Sequence, residues 1–255
     1  MITIIDTDLD TVTINDNGQS QTFSMGTPEA FFAVANAYLR CGWDNKYVYG
    51  FTWMGRPIIQ LPDDIVRIQE LIYAVRPDII IDIGIAHGGS LIAEASLLKA
   101  MGNGRVIGVD IEIRPQNRKA IEDHEMFPLI TLIEGDSITK NTVDLIANEI
   151  SNDDEVLVFL DGCHTKDHVL RELELYSPFV TVGSYIVAMD GIMKDLVGAP
   201  RSQPDWASNN PSAAAREFIK KHPGFIIEEP VSPFNEGNIN SSTTYFPDGY
   251  IKRIL

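Results

Sequence analysis

From residue 61 onward the chain alternates two kinds of segment. One kind is a mostly apolar run without polar alternation: Ile79–Ile83, Val106–Val109, Ile130–Ile133, Val156–Leu160 and Thr181–Ala188. These runs predict strands, and their lack of polar alternation predicts a parallel sheet buried on both faces. The other kind repeats apolar positions every three or four residues, near Leu91–Met101, Gln116–His124, Thr142–Ile150, Thr165–Leu175 and Ser212–Lys221. These predict helices. A further helix is expected to be capped by Asp63 or Asp64, with Ile65, Ile68, Leu71, Ile72 and Val75 inward. Gly224–Ile227 and Thr243–Leu255 read as closing strands. Alternating β and α units of this kind predict an α/β fold with a doubly wound, mostly parallel seven-stranded sheet over residues 61–255.

The first 60 residues follow a different pattern and read as an N-terminal extension. Thr11–Ile14 and Gln21–Phe23 flank an Asn17-Gly18 turn and predict a hairpin. Residues Pro28 to Leu39 predict a helix with Phe31, Phe32, Val34, Ala35 and Tyr38 on one face. Residues 47–57 are aromatic and punctuated by glycine. Late in the chain, Gly191 to Pro211 predicts a long loop, of a length that is usually functional or disordered.

Composition narrows the function classes. A chain of 255 residues, 44% hydrophobic and 22% charged, can bury a core. The formal net charge is −16 with no dense basic cluster, so neither nucleic acid nor an anionic membrane is the expected partner. No run is long enough to span a bilayer, and residues 1–8 lack the signature of a signal peptide. A cytoplasmic protein is expected, and two cysteines, Cys41 and Cys163, make no disulfide framework.

In doubly wound sheets ligands lie beyond the C-terminal strand ends. The polar residues expected there are Asp82 and Gly84, Asp110, Glu134 and Asp136, Asp161 with His164, and Asp190. The first turn reads Asp82-Ile83-Gly84-Ile85-Ala86-His87-Gly88-Gly89-Ser90 and contains no GxGxxG, the sequence that admits a pyrophosphate. An acid at Asp82 repels pyrophosphate and attracts the ammonium of S-adenosylmethionine (SAM). Asp110, one strand later, suits ribose hydroxyls, and Asp136 then faces the adenine edge. His87 is expected to position this loop. His164 is the expected general base, and Asp161 with Asp190 the expected Mg²⁺ ligands, if their strands are neighbours. Cys163 is expected to be a small buried thiol; His124 and His168, on predicted helices, receive no role.

These segments resemble the cephalosporin hydroxylase (CmcI-like) family of class I SAM-dependent methyltransferases, related to rhamnosyl O-methyltransferases. The resemblance rests on Thr52–Gly55, Gln60–Asp64, Arg76–Gly84 with His87–Ser90, Val106–Ile111, Leu132–Ser137, Leu160–Val169 and Pro247–Arg253, and runs from about Tyr47 to the C-terminus. It implies a Rossmann-like fold and O-methylation of a hydroxyl on a sugar, glycolipid precursor or natural product. It implies SAM at Asp82, Gly84, Ser90, Asp110 and Asp136; His87, Gly88, Gly89, Ile111 and Ser137 are also expected in the cofactor site. By similarity to macrolide-sugar methyltransferases, Asp161 is a metal ligand and His164 a base. Those relatives carry a Glu-Asp pair where this chain has Met189-Asp190, and a Glu is common in the family where Asp82 stands. The resemblance also implies a homo-oligomer. Two other readings remain at this point: a SAM-binding protein without catalysis, suggested by Met189, and a nicotinamide-dependent oxidoreductase.

Overall fold

The computed structural model describes residues 2–232, 234, 236–237, 239 and 241–255. The chain forms two compact units, one of Met1–Tyr47 with Val231–Thr244, the other of Val48–Pro230 with Tyr245–Leu255. The unit boundary after Tyr47 places residues 48–60 with the larger unit.

In the smaller unit, strands β1 (Ile2–Asp6), β2 (Thr11–Asp16) and β3 (Gln19–Ser24) form an antiparallel sheet, followed by helix α1 (Pro28–Asp44). Asp16 pairs with Gln19, so Asn17-Gly18 is a two-residue turn, with φ positive at both residues. Thr27 caps α1 by accepting the Ala30 amide. The helix packs Ala30 and Ala33 on Val12, with Ile14, Phe23 and Val34 around them. Of the residues expected on one face, Phe31, Phe32 and Tyr38 are exposed, while the packing on the sheet runs through Ala30, Ala33 and Val34.

The larger unit opens with β4 (Phe51–Trp53), β5 (Arg56–Ile58) and α2 (Pro62–Val75). There follow β6 (Ile79–Ile83), α3 (Gly89–Met101), β7 (Arg105–Asp110), α4 (Pro115–Glu122), β8 (Ile130–Glu134), α5 (Lys140–Ala147), β9 (Val156–Leu160), α6 (Lys166–Tyr176) and β10 (Tyr185–Ala188). Helix α7 (Pro211–Lys221) and strands β11 (Phe225–Ile227) and β12 (Tyr250–Arg253) close the chain. The seven-stranded sheet has the order β11-β12-β10-β9-β6-β7-β8. Strand β12 is antiparallel to both neighbours, and β10 through β8 run parallel. This is the predicted doubly wound sheet.

Every residue of β6 and β9 is buried, Asp82 among them, as strands lacking polar alternation lead one to expect. Each fully buried isoleucine in β6 contributes about 1.5–3 kcal/mol relative to exposure. Two details correct the sequence reading. Helix α2 begins at Pro62 without a side-chain cap; Asp64 is instead fully buried and accepts the Tyr245 amide at 2.8 Å. The segment 191–211 is not an open loop: two short 3₁₀ turns, Gly191–Asp195 and Pro204–Ala207, bury Ile192, Met193 and Leu196.

Candidate active site

The sheet order places the site. From β6 the chain builds outward through β7 and β8, then returns to lay β9 on the other side of β6. The crevice opens at this reversal, beyond the ends of β6 and β9. The amide of Asp161 donates to the Ile83 carbonyl at 2.7 Å, and the Gly84 amide donates to Val109 at 2.9 Å, so the three strand ends are laced together. Gly84 sits at φ +112°, and a Cβ there would collide with the Asp161 carbonyl. Only glycine allows the turn and the close approach together.

The turn after Gly84 is held from several sides. Ala86 takes a left-handed φ of +44°, and Gly88 at +82° leads into α3. Such strain at Ala86 persists only where surroundings over-determine it. Here Arg56 donates through Nε to the His87 carbonyl at 3.0 Å, and Asn117 Nδ2 donates to the Ala86 carbonyl at 2.7 Å. Asp110 Oδ2 accepts the amides of Ile85 and Ala86 at 2.9 and 3.3 Å. Asp110 thus has a structural duty besides the ribose role expected of it.

A cavity of about 260 Å³ lies over these strand ends. Its wall includes Gly84, Asp110, Ile111, Asp136, Ser137 and Asp161 from the expected set, together with Cys163, His168 and Glu172. A smaller recess shares Gly84, Ala86 and Asp161 with it and adds Gln60, His87, Gly89 and Ser90. The expected cofactor residues therefore come together, with two exceptions. Gly88 lines neither space and shapes the turn. Asp82 is buried beneath the turn, where it accepts the Ser90 hydroxyl at 2.7 Å. Burial pushes the Asp82 carboxyl up to about 7, the Ser90 hydrogen bond opposes this, and the Asp110 charge adds to it. Glu94, one helical turn past Ser90 in α3, is also buried, and one of its oxygens, Oε2, has no partner among the described residues. Burial first, then the charges of Asp82 and Asp161, push Glu94 well above the usual carboxylate range.

Beside this cavity stands the second expected group. Ala188 pairs with Leu160, so β9 and β10 are neighbours and the condition for joining Asp161 to Asp190 is met. Asp161, His164 and Asp190 each present a ligand atom within 4.8 Å of the others. His164 Nε2 lies 3.5 Å from Asp190 Oδ2, and Asp190 holds a left-handed φ of +59°. Burial, then Asp190, Asp82 and Asp64, push the Asp161 carboxyl well above its ordinary value. Among the described residues no lysine or arginine pairs with Asp161 or Asp190. Two close carboxylates and an imidazole without a cationic side chain suit a divalent cation, Mg²⁺ included. Met189 contributes no ligand: it is buried, with its sulfur 3.8 Å from Gln60 Nε2.

Several residues escape sequence reasoning. Cys163 is exposed and lines the cavity, which corrects the buried thiol expected of it. His168 and Glu172 sit four residues apart on α6, a spacing that reads as an ordinary helix-surface pair. In the structure both face the cavity, and Ser137 Oγ donates to Glu172 Oε1 at 2.6 Å. Helix α6 itself is capped by a residue far in sequence, as Asn209 Oδ1 accepts the Lys166 amide at 2.7 Å. Trp206, the one tryptophan of the 191–211 segment, lies in the second 3₁₀ turn, outside the lining of both spaces.

Comparison with known proteins adds a family. Residues 45–254 match the family described as Rhamnosyl O-methyltransferase/CmcI. The chain is 25% identical over 195 residues to the Rhamnosyl O-methyltransferase of Mycobacterium leprae (strain TN), covering 75% of this chain and 80% of that protein. An apo structure of CmcI superposes with a TM-score of 0.54 at 18% identity, over 81% of this chain and 77% of that one. A CmcI structure with Mg and SAM gives 0.54 at 19% identity, over 81% and 78%. At these identities the structural likeness is one of fold.

Proposed function

The chain belongs to the Rhamnosyl O-methyltransferase/CmcI family and is a class I SAM-dependent O-methyltransferase, and we propose that its acceptor is a hydroxyl of a sugar-type small molecule. The observation that carries this reading is the junction at Asp161. That residue borders the cavity expected to hold SAM and also belongs to the group formed with His164 and Asp190. One residue thereby ties the cofactor space to the acid–base machinery.

SAM supplies an electrophilic methyl carried on a sulfonium. The chain has to hold an acceptor oxygen in line with it and take the proton away. In this reading Asp110 holds the ribose and Asp136 with Ser137 faces the base. Asp82, through Ser90 and the turn, supports the methionyl end, where a cationic ammonium relieves the buried acids. His164 receives the proton of the acceptor hydroxyl, and its 3.5 Å approach to Asp190 stabilises the imidazolium that results. Asp161 and Asp190 would hold Mg²⁺, which lowers the pKa of a bound hydroxyl. The sugar-type acceptor is supported by the rhamnosyl relatives.

Transfer of a radiolabelled methyl group from SAM to a panel of rhamnosides tests this reading. The wild type labels at least one, and His164→Ala lowers turnover by 10²–10⁴-fold while S-adenosylhomocysteine binds as before. A His164→Ala variant with full turnover would remove His164 as the base.

A further inference from the structure

The large cavity has a second buried acid that the methyl-transfer chemistry does not use. Glu172 is 1% exposed and lies in the cavity wall. Its Oε1 is occupied: Ser137 Oγ donates to it at 2.6 Å, and His168 Nε2 is 3.2 Å away. Its Oε2 is buried and, among the described residues, has no hydrogen-bond partner. Nearby, the Tyr176 hydroxyl donates to the Ser137 carbonyl at 2.8 Å, which ties α6 to the end of β8. A buried acceptor without a donor is rare in folded proteins and marks a place where a ligand supplies one. The Ser137 and His168 contacts both hold Oε1 and fix the carboxylate before any ligand arrives. The carboxylate of Asp136, the other acid at this end of the cavity, already accepts the Ile138 amide through Oδ1 at 3.1 Å.

We infer that Glu172 Oε2 is the group that reads the exocyclic amino group of adenine in the cofactor. The inference rests on the proposed placement of SAM, with its ribose at Asp110. From there the base extends between the β8 end at Ser137 and the start of α6. An adenine amino group is a donor and matches a carboxylate oxygen. A base with a carbonyl at the same position brings an acceptor against it and leaves both unpaired. Selectivity for adenine over hypoxanthine then comes from α6, through an acid held by a hydroxyl from β8. His168 is a positioning residue for this carboxylate and does not touch the base.

Calorimetric titration with S-adenosylhomocysteine and with S-inosylhomocysteine, its deaminated analogue, tests the inference. The wild type binds the adenine compound at least tenfold more tightly. In Glu172→Gln an amide can rotate to donate to the carbonyl, and the ratio falls below threefold. A merely structural role for Glu172 would weaken both compounds equally and leave the ratio unchanged, which overturns the inference. Equal affinities in the wild type overturn it without any variant, and leave the SAM reading standing. Binding of neither compound to the wild type overturns the SAM reading and the inference with it.

Discussion

Gln60 and Met189 meet in the interior, with Gln60 Nε2 3.8 Å from the Met189 sulfur and both side chains buried. Met189 follows the end of β10, next to the strand that ends at Asp161. A carboxylate at 189 would join a place where burial and the charges of Asp190, Asp82 and Asp64 already act against ionised Asp161. Met189→Glu is therefore expected to destabilise the metal-free protein by about 3 kcal/mol, the scale of an uncompensated buried charge. Added Mg²⁺ should recover more of this loss than it adds to the wild type. Thermal melts in EDTA and in Mg²⁺ check both statements, and identical Mg²⁺ shifts in the two proteins would count against Asp161 and Asp190 as ligands.

Asp82 links stability to pH. Its folded pKa of about 7 lies above the ordinary value, so the folded state holds this proton more tightly than the unfolded chain. The associated stability is complete at low pH and is lost as pH rises from about 4 through about 7. At pH 8 the full cost is on the order of 4 kcal/mol, from about three pKa units at 1.36 kcal/mol each. Asp82→Asn should raise the melting temperature of the ligand-free protein at pH 8, with a gain that shrinks towards pH 4. The same variant should weaken S-adenosylhomocysteine binding at least tenfold. A melting temperature that falls at pH 8 would contradict burial as the cause of the shift.

Arg56 acts on the cofactor turn from outside it, through the His87 carbonyl. Arg56→Met keeps much of the aliphatic stem and removes the donors. Loss of a charged hydrogen bond of this kind costs about 1.5–3 kcal/mol. The expected outcome is a cofactor affinity tenfold or more below wild type with kcat at saturating SAM nearly unchanged. Steady-state kinetics separate the two, and a loss confined to kcat would mean that Arg56 does not work through the turn.

His168 reports on the acid behind it. The Glu172 hydrogen bond raises the imidazole pKa, while partial burial opposes it. A raised histidine stabilises the fold at low pH and loses that contribution as pH rises through its folded pKa. Glu172→Gln should move the His168 titration, followed by NMR, to lower pH. No movement would show that the pair seen on α6 does not form in solution.

The central sheet was legible because its strands are mostly apolar without alternation, a signature tied to burial on both faces that β6, β9 and β10 show in full. The acids at the strand ends were legible for the same reason, since a charge ending such a run has to sit at the sheet edge. Strand β1 was not, because Ile2 and Ile4 are exposed and carry no burial pattern. Asp64 looked like a helix cap, and its true partner is an amide 181 residues away. Glu94 lies on α3, whose first turns are buried nearly all round and offer no polar face to interpret. Glu172 needed the contact between α6 and the end of β8, a relationship of 35 residues that only the folded chain supplies.

The most direct test is a crystal structure of the protein with S-adenosylhomocysteine and Mg²⁺. The account predicts ribose hydroxyls on Asp110, adenine between Ser137 and Glu172, the homocysteine over Gly84 and Ser90, and a metal on Asp161 and Asp190. The homocysteine sulfur should point toward His164. Density for the nucleoside outside the cavity bounded by Asp110, Ser137 and Asp161 would contradict it.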